Sequence, residues 1–177
     1  MINRGFLCLA LFTSSFVLSG CGGGGILGSS GCQPTSYSMN FPSDAGFSAS
    51  GTINSASGCF SSATVNTYTS LLPIGGAFTS TNPTTQVVLY LGVTFSSTEY
   101  ATGLPSLAVT LPAGVVTANR SFYVAANSSG SSFGWLAALE GPVTASGTTL
   151  SFGSGGGNTT FDANTEEVLA IYSVATP

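Results

Sequence analysis

From about residue 33 onward, apolar and polar positions alternate with a period of two, the mark of strands that bury one face. Leu107, Val109 and Leu111 alternate with Ala108 and Thr110, and Pro112 and Gly114 follow as turn residues. Phe122, Val124 and Ala126 alternate in the next run, and residues 127–132 read as a polar loop. Phe133, Trp135, Ala137 and Leu139 then share one face, with Gly141-Pro142 ending that run. Residues 143–145 and 150–152, joined through Ser146-Gly147, read as a hairpin, and 153–158 as a glycine loop. In 87–95 one face holds Val87, Leu89, Leu91, Val93 and Phe95, and the other is mixed, which predicts a central core strand. Residues 168–174 are almost continuously apolar, which predicts a strand covered on both faces.

Short strands at spacings near ten residues predict an all-β fold, an antiparallel β-sandwich over residues 33–177. Helix is disfavoured, because Ser, Thr, Gly and β-branched residues dominate and three-four apolar spacing is scarce. In architecture this domain resembles the immunoglobulin-like or fibronectin-like modules of bacterial surface proteins. It departs from true immunoglobulin domains, since Trp135 follows both Cys32 and Cys59 instead of lying between them. No functional residue carries over from that likeness, because fold alone does not specify function.

The N-terminus has a different pattern. Asn3 and Arg4 precede a mostly apolar run from Phe6 to Val17, shorter than the roughly 20 residues a bilayer-spanning helix needs. Leu18-Ser19-Gly20-Cys21 follows, and then four glycines. This arrangement resembles the lipobox of bacterial lipoproteins. The resemblance implies a signal peptide at 1–20, cleavage before Cys21 and a diacylglyceryl group on its thiol. An ordinary signal-peptidase site fits less well, because Leu18 would occupy a position that takes a small residue. With Gly22 rather than Asp after the cysteine, lipoprotein sorting in a host with two membranes favours the outer one. Residues 21–32 then form a lipidated, Gly/Ser-rich tether. Its flexible ten residues span roughly 17 Å, close to the membrane surface.

Composition narrows the partners. The chain has 177 residues, 43% apolar, yet only 5% charged, against roughly 25% in ordinary globular domains. There is no histidine and no lysine, and Arg120 is the one basic side chain beyond the signal. Phosphate-rich nucleic acid is therefore excluded as a partner, as are anionic head groups bound through charge. The expected partners are the membrane, through its lipid, and an envelope protein or polysaccharide. With no group titrating near neutrality, stability is expected to be flat in pH there. Lysine normally blunts sheet edges, so its absence leaves edge pairing open.

Candidate chemistry is sparse. Cys32 and Cys59 are an even pair in an oxidising compartment, and a disulfide between them would contribute about 3 kcal/mol in the chain-entropy picture. Serine, threonine and cysteine nucleophiles lack a histidine or lysine base, which excludes the familiar hydrolase triads. Asp162 with Glu166, and Glu140 more remotely, could form the carboxylate pair of a glycan-active enzyme. Asp162, Asn164 and Glu166 alternate as calcium-loop oxygens do, although an Asx turn explains the same residues. Tyr123 faces away from Phe122 and Val124 and is the better exposed aromatic for stacking on a ligand. Trp135, the lone tryptophan, is the other, with core packing as its simpler account. The leading expectation is a non-catalytic, lipid-anchored envelope protein for adhesion, envelope structure or assembly. A carbohydrate- or small-ligand-binding lipoprotein comes second.

Overall fold

The computed structural model describes residues 36–56, 60–69, 78–128, 136–155 and 157–176, with 128 and 136–140 described by backbone alone. The described chain is all-β and antiparallel, as the alternation predicts. One sheet has four strands in the order β1 (Ser36–Asp44), β2 (Phe47–Asn54), β6 (Ser106–Thr110), β9 (Thr149–Phe152). The second has five, ordered β3 (Ala63–Tyr68), β4 (Gln86–Phe95), β11 (Glu166–Ala175), β7 (Arg120–Ser128), β8 (Leu136–Val143). A short ribbon pairs β5 (Glu99–Ala101) with β10 (Thr159–Phe161).

The two sheets face each other across one apolar core. Met39, Ile53, Leu107, Val109 and Leu150 come from the first sheet, and Leu91, Val93, Phe122, Val124, Leu169 and Ile171 from the second, all almost fully buried. One end is closed by aromatic rings around Phe95. Phe60 stacks on it at 5.4 Å, while Phe161 and Tyr37 meet it edge-on at 5.3 and 6.0 Å. Such pairs contribute roughly 0.5–1.5 kcal/mol beyond their area.

The last strand lies in the middle of the five-stranded sheet, between β4 and β7. Its near-continuous apolar run follows from that position. Leu169 and Ile171 enter the main core, while Val168, Ala170 and Tyr172 form a second apolar cluster on the outward face.

Four local readings are corrected. Val87 does not share a face with Leu89, because β4 carries one extra residue where Ile171–Leu89 pairing gives way to Tyr172–Val87. This bulge turns Val88 toward the main core and Val87 toward the outward cluster. Gly141-Pro142 does not end its strand: β8 runs through it to Val143, with a cis peptide and shifted register. Gly141 has φ 108°, and an added Cβ would collide with the Phe122 carbonyl, so glycine is required. The expected hairpin at 143–152 shrinks to a turn. Ser146 and Thr149 exchange backbone hydrogen bonds of 2.9 and 3.1 Å, but β8 pairs with β7 and β9 with β6. Pro142 has no N–H to donate to such a ladder. The loop expected from 127 is also shorter, since β7 extends to Ser128 and Asn127 is buried opposite Val168.

Three of the four edge strands are blunted without lysine. β9 is four residues long, β1 ends with Pro42 and Asp44, and the Ala63 N–H of β3 donates to the Tyr37 hydroxyl of the opposite sheet at 3.4 Å.

Candidate functional site

Cys21, Cys32, Cys59 and Trp135, the expected lipid site, disulfide pair and lone tryptophan, lie outside the described residues. Tyr123 is described and corrected: it is half-buried, stacked on Tyr172 at 5.4 Å and 19°. Its strand is flanked by β11 and β8, so the face it points to belongs to the second apolar cluster. Among the described residues, the exposed aromatic is Tyr100 on the β5–β10 ribbon, 53% accessible.

The acids are distributed by the fold. Asp162 is exposed in the turn between β10 and β11, where the Thr165 N–H donates to the Asp162 carbonyl at 3.2 Å. Asn164 holds a left-handed conformation in the same turn, φ 55°, and its N–H donates to the Phe95 carbonyl at 2.8 Å. Glu166 and Glu167, successive in β11, face opposite sides of the sheet. Glu99 is buried, its Oε1 accepting from the Ser61 N–H at 2.7 Å and the Ser97 hydroxyl at 2.9 Å.

Glu166 is the best-built polar centre on the five-stranded sheet. Its side chain crosses β4 to reach β3. There Oε1 accepts from Asn66 Nδ2 at 2.9 Å and from the Tyr68 hydroxyl at 2.7 Å. The crossing needs Gly92, because any Cβ at that position would occupy the carboxylate's place. Burial first, then the hydrogen bond and charge of Glu166, push the Tyr68 phenol up to about 12. At neutral pH this phenol is a hydrogen-bond donor and no base. Glu166 is bonded to Asn66 and Tyr68 and shares no hydrogen bond with Asp162. Among the described residues no cluster of three His, Cys, Asp or Glu could hold a metal ion. Glu166, one of the three candidate calcium ligands, is engaged by Asn66 and Tyr68.

The outward face of the four-stranded sheet is built differently. Its side chains are Ser38 and Asn40 from β1, Ser50 and Thr52 from β2, Ser106 and Ala108 from β6, and Ser151 from β9. Register sets them in rows across the strands. Ser38, Thr52 and Ser106 form one row, and Asn40, Ser50, Ala108 and Ser151 the next. A shallow open concavity of about 400 Å³ lies over these rows. Gly51 lies between them, and the missing Cβ lets the Leu107 and Met39 side chains close in beneath the sheet. Sequence reasoning passed over this face. Its signal was the alternate, uncharged polar set Ser38, Asn40 and Ser48, Ser50, Thr52.

Comparison with protein-family models, with curated proteins and with solved structures finds no match to this chain.

Proposed function

We propose that this chain is a lipid-anchored protein of the cell envelope whose sandwich acts by binding, in adhesion, envelope structure or assembly, and not by catalysis. The anchor rests on Leu18-Ser19-Gly20-Cys21 and the short apolar run before it. A diacylglyceryl group supplies more than one buried chain, which is what durable attachment takes. The Gly/Ser tether then holds the domain near the membrane with the outward face of its four-stranded sheet free to meet a partner.

The observation that best supports a binding role is the use made of the few acids. Glu99 and Glu166 have oxygens committed to hydrogen bonds from neighbouring strands and loops, and Glu167 is buried. Acids held in this way stabilise loops and sheet packing and are poorly placed for proton transfer to a substrate. Arg120, the only cation beyond the signal, is likewise engaged: it donates to the Ser173 hydroxyl and to the Thr84 and Ser173 carbonyls. A neutral partner, polysaccharide or protein, is favoured over a charged one.

Intact-mass analysis of the protein extracted from membranes tests the anchor. The expected product starts at Cys21 and carries acyl chains, and Cys21→Ser abolishes both the added mass and membrane retention. A mature chain starting elsewhere, or an unacylated Cys21, would overturn the reading. Hydrolysis of a glycan lost on alanine substitution at Asp162 and Glu166 would replace binding with catalysis.

A further inference from the structure

The outward face of the four-stranded sheet has hydrogen-bonding capacity that the protein does not use. Ser38, Asn40, Ser50 and Ser151 make no side-chain hydrogen bond within the described residues, while Ser106 donates to the Thr52 carbonyl at 3.2 Å. Each free hydroxyl both donates and accepts, and the Asn40 amide does the same with separate groups. The rows repeat at the strand spacing of about 4.8 Å and lie about 7 Å apart along the strands. No charged side chain enters either row.

We propose that this concavity binds a neutral polysaccharide, laid across the strands between the Ser38–Thr52–Ser106 row and the Asn40–Ser50–Ala108–Ser151 row. Three observations select that occupant. Most of the outward side chains in the lining carry groups that both donate and accept hydrogen bonds, as the hydroxyls of a polysaccharide do. It lacks charge, so it offers an ionic polymer no opposite charge to pair with. Its volume of about 400 Å³ is open along the surface and suits a segment of a long chain passing through. The strand spacing is close to the length of one sugar residue, so successive sugars meet equivalent positions in each row. A second copy of the protein is disfavoured, since the face lacks the apolar centre of a self-associating interface.

The inference deepens the binding role proposed above by naming its ligand class and its site, and it rests on that role. It is tested with the full lipidated chain, in a detergent without a sugar head group. Calorimetric titration would use dextran, laminarin and hydroxyethylcellulose as neutral probes, and alginate as the anionic one. Saturable binding to at least one neutral probe is expected, unchanged between low and high salt and absent for alginate. Asn40→Asp with Ser50→Asp should weaken it at least tenfold. Asn40→Ala with Ser50→Ala, which adds no charge to the strands, should weaken it severalfold with the thermal unfolding unchanged. Tyr100→Ala and Tyr68→Phe should leave it intact.

Failure of every neutral probe, with Cys21 acylated, would overturn this inference and leave the anchor standing. Binding that survives both double substitutions but is lost in Tyr100→Ala would move the site to the ribbon and overturn it too. Self-association abolished by the same double substitutions would assign the face to a second copy, with the same consequence.

Discussion

The outward faces of the two sheets solve one problem in opposite ways. Both belong to a chain with almost no charge, so neither is wetted by lysine and glutamate in the usual manner. The four-stranded sheet presents serine, threonine and asparagine directly to water. The five-stranded sheet presents Tyr68, Tyr90, Tyr123 and Tyr172 around Val168 and Ala170, and this face is largely buried. Phe78 packs on Tyr172 at 4.6 Å, and its N–H donates to the Tyr90 hydroxyl at 3.2 Å. The difference teaches where a ligand site can be. Aromatic residues invite a stacking hypothesis, yet here they are used for packing. The accessible and unengaged groups lie on the face without aromatics.

This contrast can be broken in graded steps. Phe95→Ala removes a ring shared by both sheets and should cost about 3–5 kcal/mol, read from urea unfolding. An effect below about 1 kcal/mol would mean that the aromatic end does not hold the sandwich together. Tyr172→Ala should cost about 3 kcal/mol, whereas Ser50→Ala on the other sheet should lie within about 0.5 kcal/mol of the parent. Equal costs at the two positions would erase the distinction between the faces. Gly92→Ala should cost about 1–2 kcal/mol, because it expels Glu166 from its bonds to Asn66 and Tyr68. The same change made together with Glu166→Ala should cost distinctly less than the sum of the two.

The smallest effects concern pH. The Tyr68 phenol titrates at about 12 in the folded chain, above its ordinary 10.0. The unfolded chain therefore loses this proton first. Stability present below pH 10 falls as pH rises toward 12. Tyr68→Phe should flatten that alkaline slope, measured by unfolding at about pH 9 and pH 11. Between about pH 5 and 8 the parent should show almost no change, because the chain has no histidine. A steep change in that window would expose a titrating group that this account omits.

Ala45–Gly46 shows why part of the fold was hard to read. Both residues are left-handed, φ 46° and 85°, in the two-residue turn joining β1 to β2. Such turns are normally announced by Asn-Gly or Asp-Gly, and alanine conceals this one. The bulge at Val88 is equally silent, since an extra residue leaves the valine-rich composition unchanged. Glu166 was visible as a candidate, but its partners Asn66 and Tyr68 lie 100 and 98 residues away along the chain. No local spacing could have joined them.

By itself, the sequence determined the strand-forming pattern, the sandwich class, the coverage of 168–174 on both faces and the scarcity of charge. These depend on side-chain period, hydrophobicity and charge count, all local or additive properties. Only the tertiary structure decided the strand order, the separation of β8 from β9, the stacking of Tyr123 on Tyr172 and the gathering of Glu166, Asn66 and Tyr68. Those depend on which strands become neighbours, and register between distant segments is settled by packing of the whole core.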